Sequence, residues 1–188
     1  GVTMMRVIAG EARRLLLKTP KGDITRPTAD MVKETLFNML SFSVEGARFL
    51  DLFAGSGGIG IEALSRGALE AVFVDNSKEA LDCMEYNLAH TRLRDRARVL
   101  KGDAVLELRR MSKREGVFDI IFMDPPYHKG LERECLDILA DSPLADEKTL
   151  VIVEADKKMD PSDLLLHWNI DKIKQYKNNQ HLFLHKKS

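Results

Sequence analysis

"FLDLFAGSGGIGIEALSRGA", residues 49–68, reads as a strand, a glycine-rich turn and a helix in immediate succession. The apolar run that carries Asp51 suits a strand buried in a sheet. The glycines at 55, 57, 58 and 60 end it, and residues 59–66 resume as a helix. The same alternation continues on both sides. Strands are predicted over residues 48–53, 70–75, 97–101, 118–123 and 149–154, and helices over 59–66, 78–90, 104–114 and 131–140. Such an order implies a mostly parallel sheet with helices on both faces.

The ends of the chain differ from this pattern. Residues 1–22 suggest a small hairpin, "MRVIAG" and "RRLLLKTP" around a short polar turn, closed by "PKG". "RPTADMVKETLFNMLS" has apolar residues at Val32, Leu36 and Leu40, a helical spacing, with Thr28 as its expected N-cap. At the other end "NIDKIKQYK" and "QHLFLHKK" flank Asn178 and Asn179 and predict an antiparallel hairpin added to the sheet. The expected organisation is therefore a hairpin over residues 4–24 and one α/β domain over 25–188, with a seven-stranded, Rossmann-like sheet.

With 188 residues, 44% hydrophobic and 31% charged, the chain fits a single globular core. No apolar run approaches the roughly 20 residues that a membrane helix requires. Residues 1–3 look like an extension before a natural start at Met4 or Met5. Cys83 and Cys135 have no partner at metal-ligand spacing and read as small core residues in a reducing, cytoplasmic compartment. The 29 basic residues equal the 29 acidic ones, yet residues 6–33 carry seven basic and three acidic side chains and residues 171–188 carry five lysines and one acid. Basic ends around a more acidic middle can hold a phosphate backbone without any net charge.

The glycine turn contains G-x-G-x-x-G at Gly55, Gly57 and Gly60, and Asp75 follows Gly55 by 20 residues, so a nicotinamide dinucleotide is one candidate ligand. Asp51, four residues before the first glycine, puts a carboxylate where the charged end of a ligand should lie and favours a cation. Asp103 in "KGDA" adds a third acid at the carboxyl edge of the sheet. S-adenosylmethionine suits all three: an ammonium for Asp51, a ribose diol for Asp75, an adenine amine for Asp103, and close backbone approach at Gly55, Gly57 and Gly58.

"IIFMDPPYHKG", residues 120–130, is the fourth strand of the series and ends at the same edge. A nucleobase amine is a poor nucleophile because its lone pair is delocalised into the ring. Acceptors placed on its protons draw the nitrogen toward tetrahedral geometry. Asp124 and the carbonyl of Pro125 can supply them, Pro126 stiffens the turn, and Tyr127 can stack on the base. The carboxylate at 124 inclines the reading toward guanine, whose pairing edge presents two donors, while an adenine amine remains open.

Together "RVIAG", "TPKG", "RPTADMVKETLFNML", "DLFAGSGGIGIEALSRGA" and "DPPYHKG" resemble the RsmD-like group of bacterial 16S rRNA guanine-N(2)-methyltransferases, in order from Arg6 to Gly130. The resemblance implies a class I methyltransferase fold, S-adenosylmethionine as methyl donor, and one guanine of small-subunit rRNA, the 966-type site, as target; a sulfonium already activated for transfer requires no metal, and a monomer is expected. It further implies that Phe53, Ala54, Gly60, Asn76 and Ala104 line the cofactor site, that Arg13, Arg14 and Lys18 touch RNA, and that Arg26 and Thr28 line the substrate site. Two other classes stay open at this point, a nicotinamide-dependent oxidoreductase and a non-catalytic RNA-binding assembly factor.

Overall fold

The computed structural model describes residues 4–20 and 26–188. In chain order its elements are β1 (Met4–Arg6), β2 (Leu16–Lys18), α1 (Arg26–Leu40), β3 (Arg48–Leu52), α2 (Gly58–Ser65), β4 (Glu70–Asp75), α3 (Lys78–His90), β5 (Ala97–Lys101), α4 (Ala104–Met111), β6 (Ile120–Met123), α5 (Leu131–Ala140), β7 (Leu150–Asp156), β8 (Trp168–Gln175) and β9 (Asn179–Lys186). The main sheet runs β5-β4-β3-β6-β7-β9-β8. Its first five strands are parallel and β9 is antiparallel to both neighbours. The class I methyltransferase arrangement expected from the sequence is therefore present.

Strand parity divides the core. Phe49, Phe73, Ile120, Phe122 and Ile152 face α1, α2 and α3. Leu50, Leu52, Val72, Val74, Ile121, Met123 and Val153 face α4 and α5. Both faces are covered, so the parallel strands are apolar on both sides. Phe73 lies so close to α2 that a Cβ on Gly60 would stand 2.3 Å from its ring, and glycine alone fits there.

Several boundaries differ from expectation for local reasons. β6 begins at Ile120 because the Phe118 N–H turns away to donate to the Leu144 carbonyl. β7 continues to Asp156 because its pairing with β9 extends to Asn179. α4 ends at Met111, where the N–H groups of Arg114 and Glu115 fold back onto the Met111 carbonyl. α1 starts at Arg26, so Thr28 lies inside its first turn rather than capping it.

β1 and β2 form their own antiparallel pair, but residues 7–15 between them are no simple turn. Glu62 of α2, fully buried, accepts the N–H groups of Ile8 and Ala9. Ser65 accepts from the Ala12 N–H and donates to the Ala9 carbonyl. Val7, Ala12 and Leu17 are buried in the core that α1, α2 and α3 share with the sheet. Residues 21–25, which include part of "PKG", lie outside the described residues. Among the described residues no helix is long and apolar enough to cross a membrane.

Candidate active site

The chain leaves β3 toward β4 on one side and reaches β6 on the other, so the crevice beside β3 is the point where strand order reverses. Asp51 projects into it from β3. It is buried, and the Gly60 N–H donates to its Oδ2 at 3.0 Å. Burial pushes its carboxyl well above the usual carboxylate range, and the nearby Asp124, Asp75 and Glu154 push in the same direction. A cationic ligand would relieve both effects.

The turn that follows is shaped for close approach. Phe53, a non-glycine residue, has φ 58°, and Gly57 has φ 82° and gives its carbonyl to the Ile61 N–H. A Cβ on Gly55 would meet open space. Asp75, at the end of β4, ties this turn down: its Oδ2 accepts the Gly55 N–H at 2.8 Å and its Oδ1 the Ser77 N–H at 2.9 Å. Asp75 thus shapes the turn through its own two carboxylate oxygens. Asp103 is the N-cap of α4, with Oδ2 accepting the Leu106 N–H at 3.0 Å, and is exposed with Ala104 buried behind it.

These features fit S-adenosylmethionine better than a dinucleotide. The first turn of α2, where a pyrophosphate would seat, already gives its Gly60 N–H to Asp51. Asp51, Asp75 and Asp103, with Phe53, Ala54, Gly55, Gly57, Gly58 and Asn76 between or beside them, instead form an acidic edge suited to an ammonium, a diol and an adenine amine. S-adenosylmethionine brings a methyl group on a sulfonium, already activated for transfer.

Across the crevice β6 ends at Met123, and Asp124 follows it with an N–H that still reaches the Leu52 carbonyl at 3.4 Å. Pro125 is buried and has no N–H to continue the ladder. Tyr127 is 38% exposed, hydrogen-bonds Asn179 of β9, and burial pushes its hydroxyl up to about 12. A cavity of about 400 Å³ opens beside this ring, lined among others by Gly130, Arg133, Lys158 and Met159.

Three residues beside Asp124 escaped the sequence reading. The register places Asp51 opposite Phe122, Phe122 opposite Ile152 and Ile152 opposite Phe183. Two residues further, Asp124, Glu154 and His181 form a row on the same face. Glu154 Oε1 lies 2.6 Å from His181 Nε2, and His181 Nδ1 lies 3.2 Å from the Tyr176 hydroxyl. Glu154 also hydrogen-bonds Asp124. Burial raises the Glu154 carboxyl, lowers His181 to about 4 and raises Tyr176 to about 12. An acid at the end of "TLVIVEAD" is the signal that would have marked Glu154, by the rule that marked Asp51 and Asp75.

The predicted RNA contacts are scattered. Arg13 and Arg14 are exposed on the loop between β1 and β2, and Arg14 has φ 74°. Lys18 is half-buried, its ammonium 3.8 Å from the centre of the Tyr86 ring, so it packs on α3. Arg26 and Thr28 open α1, but their side chains lie outside the described residues. The arginines after α3 are engaged: Arg94 pairs with Glu85, Arg96 with Glu11 and Arg98 with Glu115. Cys135 is buried, whereas Cys83 is only partly so, on the flank of α3 rather than in the core. Among the described residues no cluster of three or more potential ligands is placed to hold a metal ion.

Known proteins share this arrangement. A family model described as "Conserved hypothetical protein 95" matches residues 5–185. A protein named putative rRNA methyltransferase YlbH, from Bacillus subtilis, is 41% identical over 83% of this chain and 85% of its own length. One named ribosomal RNA small subunit methyltransferase D, from Escherichia coli, is 33% identical over 93% of this chain and 86% of its own. The solved structure titled putative methyltransferase yhhF, from Escherichia coli, superposes with a TM-score of 0.83 at 31% identity, covering 98% of this chain and 99% of that one. The chain belongs to the RsmD-like family of class I, S-adenosylmethionine-dependent methyltransferases.

Proposed function

We propose that the protein methylates the exocyclic N2 amine of one guanine in 16S rRNA, at the 966-type site, in the cytoplasm. The observation that carries this reading is the placement of Asp124-Pro125-Pro126-Tyr127 across one crevice from the buried Asp51 and its glycine turn. Relatives named for the rRNA of the small subunit support the substrate class.

Each part of this edge has a task. Asp51, Asp75, Asp103 and the turn from Phe53 to Gly60 bind and orient the methyl donor. Asp124 and the Pro125 carbonyl accept the two amine protons, which makes the nitrogen lone pair available along the line of attack. The amine nitrogen forms the new bond to the methyl carbon, the carbon–sulfur electron pair stays on sulfur, and the nitrogen loses one proton to solvent at the exposed Asp124. Tyr127, tethered through its hydroxyl to Asn179, offers a ring face on which the base stacks, worth roughly 1 to 3 kcal/mol. The base must leave a helical stack to expose its amine, and the cavity beside Tyr127 gives the displaced nucleotide room. Arg13 and Arg14, exposed on the loop between β1 and β2, are assigned the RNA backbone.

Transfer of a labelled methyl group to small subunits from cells lacking the protein tests this reading. We expect incorporation that Asp124→Ala abolishes. Incorporation into the large subunit alone, or into adenine, would contradict the assignment.

A further inference from the structure

Asp124 stands at the end of a chain of hydrogen-bonding groups that runs through the protein interior. Glu154 of β7 contacts Asp124, His181 of β9 contacts Glu154 at 2.6 Å, and Tyr176 just beyond β8 contacts His181 at 3.2 Å. His181 has no exposed surface, and the rings of Phe122, Tyr176 and Phe183 meet it edge-on. Asp124 itself is exposed.

His181 fixes the direction of the inner part of this chain. Two carboxyls in hydrogen-bond contact share one proton between them. An imidazole sealed among aromatic rings stays neutral and carries one proton. If Nε2 bears it, His181 donates to Glu154 Oε1 and accepts the Tyr176 hydroxyl at Nδ1, and every group is satisfied. The opposite direction would need both carboxyls protonated at once. The other ionisable groups around Glu154 are Asp51 from β3, Tyr127 after β6 and Asp156 on β7, the last paired with His128.

We propose that Glu154 and His181 are positioning residues for methyl transfer: the chain Tyr176 to His181 to Glu154 to Asp124 fixes the Asp124 carboxyl, turned so that its remaining acceptor faces the target amine. The proposal rests on the proposed role of Asp124.

Two measurements test it. The first requires no activity. Nitrogen-15 spectra of histidine-labelled protein should show His181 neutral and protonated at Nε2 throughout the neutral pH range. A proton on Nδ1, or an imidazolium, overturns the proposal whatever the enzyme methylates.

The second compares variants in single-turnover methylation. Glu154→Gln keeps a donor for Asp124 and an acceptor for His181, and should slow transfer by no more than about threefold. Glu154→Leu keeps neither and should slow it by about tenfold or more, with S-adenosylmethionine affinity unchanged. Equal rates for the two variants, whether both fast or both slow, overturn the proposal. If Glu154→Leu does not fold, the spectra decide alone. If the native enzyme transfers no methyl group, the proposed function has failed, and the spectra still judge the chain.

Discussion

Asp51 shows at the scale of one residue how a site trades stability for binding. Its carboxyl is buried and one N–H donates to it, so its native pKa lies above the unfolded value. The folded chain then binds more protons than the unfolded chain, and the associated stability is complete at acid pH and lost as pH rises through the raised value. Asp51→Asn keeps the acceptor for Gly60 and removes the charge. Without ligand it should melt a few degrees above the native protein at neutral pH, about 1 kcal/mol or more, with a gap that closes toward acid pH. It should also bind S-adenosylmethionine roughly tenfold more weakly or worse. Melting curves across pH and calorimetry check both, and a variant that melts lower while binding as tightly would contradict this account. Gly60 is constrained by space instead. Gly60→Ala drives a Cβ into the Phe73 ring and should cost about 1 to 3 kcal/mol in denaturant unfolding, partly restored by Phe73→Leu.

Between elements, one buried side chain joins the N-terminal strands to the cofactor turn. Asn87 of α3 accepts the Lys18 N–H and donates to the carbonyls of Lys18 and Ser56. Asn87→Ala leaves those groups without their partner and should cost about 2 to 4 kcal/mol, with faster amide exchange at Lys18; unchanged protection there would mean the strand holds without it. This joint was not legible in the sequence, because it depends on how a helix and a strand 69 residues apart meet. The same holds for Glu154, His181 and Tyr176, whose row depends on the register of β6, β7 and β9. By contrast Asp51, Asp75, Asp103 and Asp124 each end or follow a strand, a local pattern, and β4, α3, β5 and α5 were readable to the residue because apolar periodicity and caps such as Ser77 are local as well. The loop from Val7 to Leu15 read as a simple turn because its true partner, Glu62, sits in the helix after the glycines.

For the whole molecule the charge balance is zero, so RNA must be held by local surfaces. Arg13 and Arg14, exposed on the loop that packs on the C-terminal end of α2, are the predicted contacts, whereas Arg94, Arg96 and Arg98 are already paired. Reversing both charges, Arg13→Glu with Arg14→Glu, should weaken RNA binding and reduce the slope of log affinity against log salt by about 1 for each phosphate that is no longer neutralised, with S-adenosylmethionine binding intact. An unchanged slope would move the RNA to another face. The proposed function comes down to one claim, that an amine of guanine receives the methyl group. Its most direct measurement is mass mapping of small-subunit rRNA methylated in vitro by the native protein and by Asp124→Ala. The account predicts one N2-methylguanine at a single position with the native protein and none with the variant. Methyl groups on adenine, on ribose or at scattered positions, or an unimpaired Asp124→Ala, would contradict it.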